Sequence, residues 1–205
     1  AQSPRGFDLP VIKRSQDDNP SFIRALSPIG AAGMLVIFDE GSVGVIPPGG
    51  KALRLNPPQQ QVSVNPIQHA VGIGPTGALI ALATGDEIIL YRCDWSVPAQ
   101  SGSACASAPL GHAHGHVVAI SPDEKRIAVG DEAGAVRLYD LTGKVIGGPK
   151  SFEGPINALG WASQRDLLAV GTTRGEIAVL DVGAAQTPIV AQQKFGTDPI
   201  TALAW

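Results

Sequence analysis

The sequence predicts an all-β fold, a β-propeller of four-stranded antiparallel blades, with about four blades present as part of a larger propeller. Three observations carry this expectation. The chain repeats itself at an interval of 41 to 47 residues. Each repeat holds four short apolar runs separated by Gly, Pro, Ser and Asp turn residues. No segment keeps a helical apolar period over three turns. Four strands per unit at this period is the pattern of propeller blades, which bury both faces only by stacking against neighbours.

The repeat is clearest in the second half. Val118-Ala-Ile-Ser-Pro-Asp123, Arg126-Ile-Ala-Val-Gly130 and Gly134-Ala-Val-Arg-Leu-Tyr-Asp140 return 41 residues later as Leu159-Gly-Trp-Ala-Ser-Gln164, Leu167-Leu-Ala-Val-Gly171 and Gly175-Glu-Ile-Ala-Val-Leu-Asp181. Moving back by 47, Pro122 meets Pro75, Ile127-Ala128 meets Ile80-Ala81, and Tyr139 meets Tyr91 after one deletion. A further step of 47 aligns Pro75 with Pro28, Leu82 with Leu35 and Asp86 with Asp39. Another copy opens at Ile200-Thr-Ala-Leu-Ala-Trp205, with Trp205 placed 44 beyond Trp161.

Within a unit, the first strand is the Val118–Ser121 type and the second is Ile127–Gly130. The third alternates, with Arg137 expected to face out while Val136 and Leu138 face in. The fourth is the Lys144-Val-Ile-Gly-Gly type, echoed at Thr187-Pro-Ile-Val-Ala-Gln192. Leu9–Lys13 reads as one more fourth strand. The expected blades are residues 22–60, 67–115, 116–154 and 155–195 of a single 1–205 segment, with lone strands at 9–15 and 200–205. Ala119, Ala128, Ala158 and Ala169 suit close approach near a narrow axis.

Composition agrees with a folded chain. Hydrophobic residues make up 44% and charged residues 16%, which excludes a disordered polymer. Aromatics are 5%, so the core rests on Val, Ile, Leu and Ala. The net charge of −3 and the lack of a basic cluster beyond Lys13-Arg14 or Lys125-Arg126 argue against nucleic-acid binding. No apolar run is long enough for a membrane-crossing helix, so no membrane insertion is expected. No signal-peptide pattern opens the chain, yet it starts at Ala1 without Met. The compartment stays open, with the cytoplasm the first expectation and a processed secreted or periplasmic form the other.

The strings Val136–Asp140 and Ile177–Asp181 resemble the WD repeat, in which a Trp-Asp pair closes the third strand. Tyr139-Asp140 and Leu180-Asp181 hold those positions here. Leu141-Thr-Gly-Lys-Val-Ile-Gly-Gly-Pro149, with Glu153-Gly-Pro-Ile156 after it, is similar to the linkers between repeats of large bacterial signalling proteins. The chain departs from the family twice. The Gly-His pair expected before the first strand is replaced near Phe152-Glu153. The Asp expected before the tight-turn Gly is Ala133 in one blade and Arg174 in the next, so the family's buried polar network is expected to be missing. Seven blades of about 43 residues would need on the order of 300 residues. A fragment, or a propeller completed by a second chain, is therefore expected.

Chemical motifs are sparse. Gly72-Ile-Gly74-Pro-Thr-Gly77 matches a dinucleotide fingerprint, but the apolar run after it reads as a strand rather than the required helix. His112, His114 and His116 alternate and on a strand would share one face, a weak candidate metal set without adjacent carboxylates. Asp86-Glu87, Asp123-Glu124 and Asp131-Glu132 read as solvated turns. Pro98–Pro109 reads as a flexible insertion before a fourth strand. Cys93 and Cys105 could form a disulfide, although their spacing does not demand it. No nucleophile motif or phosphate loop occurs.

The expectation is therefore a non-catalytic protein–protein interaction, scaffold or sensor module, without a cofactor. Its unidentified protein partner would dock on the loops leading into first strands, where Arg24, His116, Asn157 and Thr201 recur at or near one repeat position. A propeller enzyme or metal-binding protein using His112, His114 and His116 is the alternative. A structural subunit of a larger complex is the third.

Overall fold

The computed structural model describes residues 23–28, 33–38, 43–46, 53–55, 68–73, 77–83, 88–94, 105–110 and 115–205. These residues form four antiparallel sheets of four strands, each sheet ordered as in the sequence. The first holds β1 (Ile23–Pro28), β2 (Met34–Phe38), β3 (Val43–Ile46) and β4 (Leu53–Leu55). The second holds β5 (Gln68–Ile73), β6 (Gly77–Ala83), β7 (Ile88–Asp94) and β8 (Cys105–Pro109). The third holds β9 (Val117–Ile120), β10 (Arg126–Gly130), β11 (Ala135–Asp140) and β12 (Val145–Ser151). The fourth holds β13 (Ile156–Trp161), β14 (Leu167–Thr172), β15 (Glu176–Asp181) and β16 (Ile189–Lys194). The chain is all-β among the described residues. The expected strand at 9–13 and residues Gly74 to Thr76 of the glycine motif lie outside them; Gly77 opens β6, a strand.

Strand register shows the repeat at atomic level. Ile80 pairs with Tyr91, Ile127 with Tyr139, and Leu168 with Leu180. These are the positions that the sequence shifts superpose, so the same cross-strand pair recurs in three sheets. All six side chains are buried.

The core lies between sheets, and the alternation of each strand divides its residues between two neighbours. Val118, Ile127, Val129 and Tyr139 pack with Leu79, Ala81, Ile88 and Leu90 of the second sheet. Their chain neighbours Val117, Ala128, Val136 and Leu138 pack instead with Ile156, Leu168, Val170 and Leu180 of the fourth. Burial of each Val, Leu or Ile among them contributes roughly 1.5–3 kcal/mol. As expected for the third strand, Val136 and Leu138 are buried while the Arg137 side chain is 37% exposed. Tyr139 shares the Arg137 face yet is buried, because it packs against the second sheet.

Small residues set the spacing. A Cβ on Gly130 would meet Ile156 Cγ2 at 2.4 Å, and one on Gly171 would meet Ile200 Cγ2 at 2.5 Å. Ala119, Ala128, Ala158 and Ala169 are buried, as close approach requires.

Three expectations change. Residues 105–109, read as part of an insertion, form β8 against β7. Ala and Ser have weak strand preference, but β8 is an outer strand with one hydrogen-bonded neighbour, where Pro109 is tolerated. Thr187, expected to open a fourth strand, is a buried turn residue with φ 45°, and β16 begins at Ile189. Residues 200–205 are not a strand, since a ladder needs a paired neighbour. They nevertheless run beside β13: Ile200 N–H donates to Thr172 O, as Ile156 N–H donates to Asp131 O one blade earlier, both at 3.0 Å. Trp205 Nε1 donates to Gly160 O at 3.0 Å, as Trp161 Nε1 donates to Ala119 O at 3.2 Å.

Candidate functional site

Antiparallel order brings the same connections to the same end of every blade. At one end lie His116, the Asp131–Gly134 turn, the 152–155 connection, the Thr172–Gly175 turn and the segment leading to Thr201. The other end carries Ser121–Lys125, the Asp140–Lys144 turn, Ala162–Asp166 and Asp181–Pro188. The first end is the one the sequence singles out for a partner.

Tight turns hold that end in place. Asp131 is 7% exposed, its Oδ1 accepts the Ala135 N–H at 2.7 Å, and its Oδ2 accepts from Arg137 Nη1 at 2.6 Å. The expected solvated turn is therefore wrong for Asp131, because two donors converge on it, while Glu132 beside it is 78% exposed. One repeat later Thr172 replaces Asp131, and its Oγ1 accepts from the Arg174 and Glu176 amides, both at 3.2 Å. A buried polar network thus exists at these two turns, seated on Asp131 and Thr172 instead of Ala133 and Arg174. Sequence reasoning missed it, although Asp131 and Thr172 align without a gap 41 residues apart.

His116 is half-buried just before β9, its backbone N–H donating to Gly130 O at 2.7 Å. Its Nδ1 is a buried atom with no hydrogen-bond partner, and Glu132 Oε1 stands 3.6 Å away. Asn157 is half-buried and spends its side chain internally, with Nδ2 donating to Ile200 O at 2.8 Å. This bond ties β13 to the segment that carries Thr201, which is exposed. His116, Asn157 and Thr201 therefore lie at one end of the fold. Arg24 lies on β1, at the corresponding end of the first sheet, and its side chain is outside the described residues.

The rim of this end holds a cleft of about 510 Å³ between the third and fourth blades. Glu176 is buried there and accepts from Gln192 Nε2, while Lys194 Nζ stands 3.5 Å from Glu153 Oε2. The opposite end has a smaller cleft of about 280 Å³. Arg126 occupies it, pairing with Asp166, donating to Val182 O at 3.3 Å and lying 5.2 Å from the centroid of the Trp161 ring. Those partners belong to the next blade, while Asp123 Oδ2 of its own blade stands 3.8 Å away, so Arg126 ties the two blades together. The repeat gave no hint of it, because Arg126 aligns with Leu167.

Charge states follow burial and hydrogen bonding. Burial pushes the Tyr91 phenol up to about 12. Burial also raises the Tyr139 phenol, with the Arg137 charge opposing and Asp131 adding to the rise. The Thr142 hydroxyl, then the Thr142 and Lys144 amides and the Lys144 charge, hold the Asp140 carboxyl below the usual range. Asp140 and Asp181, which close the third strands, serve as turn caps. Asp140 Oδ1 accepts the Thr142 and Lys144 amides at 2.8 and 3.0 Å, and Asp181 Oδ1 accepts the Gly183 amide at 3.0 Å.

His112 and His114 lie outside the described residues. Among the described residues no group of three metal-binding side chains occurs. No described helix is long and apolar enough to cross a membrane.

No protein-family model matches the chain, and no curated protein sequence matches it. Solved structures do. Chaetomium thermophilum Sqt1, crystallised bound to the N-terminus of the ribosomal protein L10, aligns with TM-score 0.66 and 20% identity over 86% of this chain and 50% of its own. The Myceliophteria thermophila Cps50 (Swd1) β-propeller domain aligns with TM-score 0.62 and 16% identity over 90% of this chain and 61% of its own. The chain thus spans about half to three-fifths of the structures it matches. Both are WD40 β-propellers, and this fold is what the likeness shows.

Proposed function

We propose that this chain is a non-catalytic protein-interaction module whose partner docks on the end of the propeller carrying His116, Glu132 and Thr201. The observation that carries the reading is the His116 ring. Its Nδ1 is buried without a hydrogen-bond partner, beside the exposed Glu132 carboxylate. A buried polar atom left unsatisfied costs about 1–3 kcal/mol, so a small turn of the ring on docking that brings Nδ1 to a partner group recovers that energy. The blade-to-blade packing fixes the surrounding turns, so a partner meets a pre-formed surface and orders little on docking. Sqt1 supports the partner class, since its structure holds an N-terminal protein segment.

The test begins by identifying a cross-linked partner and measuring its affinity for the purified chain. Single variants Arg24→Ala, His116→Ala and Thr201→Ala are compared with Gln164→Ala at the opposite end. Asn157→Ala is read separately, because Asn157 also bonds Ile200 O. We expect His116→Ala to weaken binding about tenfold, corresponding to about 1.4 kcal/mol, with Gln164→Ala neutral. Unchanged affinity in the His116, Arg24 and Thr201 variants rejects the site. Loss confined to Gln164→Ala moves it to the other end.

A further inference from the structure

β7 and β8 pair antiparallel with Cys93 directly opposite Cys105. These are the two cysteines of the whole chain. Directly opposed residues of an antiparallel pair project to the same side of the sheet, with Cα atoms about 4.5 to 5.5 Å apart. A disulfide requires Cα atoms about 4.4 to 6.8 Å apart, so the register alone meets its backbone condition. The spacing in sequence could not decide this. A slip of one residue between β7 and β8 would send the two side chains to opposite faces.

The position in the fold adds a second argument. β8 is the outer strand of its sheet and has β7 as its single neighbour. Its sequence, Cys-Ala-Ser-Ala-Pro, lacks the β-branched and aromatic residues that hold strands together by packing. Cys105 is its first residue, where the chain re-enters the sheet. A covalent tie there closes the connection between the strands and fixes their register.

We propose that Cys93 and Cys105 form an intrachain disulfide that fastens β8 to β7, made and broken by exchange with a low-molecular-weight disulfide of the glutathione class. One cysteine thiolate attacks a sulfur of oxidised glutathione, forming a mixed disulfide and releasing one glutathione thiolate. The second cysteine thiolate attacks the protein sulfur of that mixed disulfide and releases the second glutathione. The protein loses two protons and two electrons, and one oxidised glutathione becomes two reduced molecules. This site is independent of the docking end, so either proposal can fail without the other.

The test uses the full chain, reduced and folded, equilibrated in glutathione buffers from reducing to oxidising. Samples are quenched in acid, alkylated and mapped by peptide mass. Oxidation is expected to give one peptide pair joined through Cys93 and Cys105, a mass lower by two hydrogens, and loss of both alkylatable thiols. Cys93→Ser and Cys105→Ser should each carry one bound glutathione under the same conditions. Hydrogen exchange at the Ala106–Ala108 amides should slow in the oxidised parent and not in the variants. Two alkylated cysteines, two bound glutathiones, or disulfide-linked dimers from the folded parent under oxidising conditions would each overturn the proposal.

Discussion

Replacing Gly130 by alanine tests the inter-blade packing directly. The added Cβ would stand 2.4 Å from Ile156 Cγ2, 2.6 Å from Ile156 Cβ and 2.8 Å from Val117 Cγ1. Carbon atoms at rest sit about 3.5–4.0 Å apart, so either β10 or β13 must move. Gly130 lies in β10 with an ordinary strand backbone. Alanine there would otherwise stabilise by about 0.4–1 kcal/mol through the unfolded chain. Overpacking of a dense core costs about 1–3 kcal/mol. The net expectation is a loss of up to about 2.6 kcal/mol, read by urea unfolding. Gly148→Ala, whose Cβ would meet nothing within 4 Å, is the control and should be neutral or slightly stabilising. In an Ile156→Ala background the nearest methyl is gone, so Gly130→Ala should cost less, with coupling on the order of 1 kcal/mol. Equal penalties in both Ile156 backgrounds, or no penalty in the parent, would refute the packing argument.

Other perturbations follow from the same geometry. Asp131→Ala removes the acceptor of the Ala135 amide and of Arg137, and should cost about 2–4 kcal/mol in chemical denaturation. Asp131→Asn keeps one acceptor and should cost less, and Thr172→Val, which breaks two longer bonds, about 0.5–1.5 kcal/mol. Arg126→Ala should cost about 1–3 kcal/mol, since a carbonyl bond, a ring contact and an ion pair are lost together. A double-mutant cycle with Asp166→Ala should assign no more than about 1 kcal/mol of this to the exposed ion pair. Both tyrosines have folded pKa values above 10, so the folded chain keeps protons that the unfolded chain releases. Their contribution to stability is intact below pH 10 and is lost as pH rises through the folded values, about 12 for Tyr91. Ultraviolet titration showing phenolate in the folded protein with a midpoint at 10 would contradict this.

The propeller was legible because its cause is periodic. Cross-strand pairs such as Ile127 with Tyr139 and Leu168 with Leu180 are apolar on both sides, and the repeat aligns them without a gap. Turn chemistry was legible where one residue type is required, as at Gly134 and Gly175, whose φ values are 87° and 75°. What the sequence hid depends on neighbours far along the chain. Asp131 looks like any turn carboxylate until Arg137 and the Ala135 amide are seen to meet it. Arg126 and Trp161 look like unrelated surface residues, since their contact joins two blades and occurs once among the described residues. β8 was hidden because Ala and Ser carry little strand signal and only its pairing with β7 makes it a strand. At the docking end, the placement of His116 near the start of a first strand was readable, but its unsatisfied Nδ1 was not. Asn157 looked like a surface contact and turned out to hold Ile200.

The twin contacts of Gly130 with Ile156 and of Gly171 with Ile200 bear on how such a chain can lengthen. The fourth unit carries both a notch, at Gly171, and the knob, Ile156, that fills the notch of the third at Gly130. A duplicated stretch of DNA encoding one such unit would therefore insert with both halves of the joint already matched. Growth by tandem copying demands no new interface, and later drift need only preserve the glycine and the isoleucine that meets it.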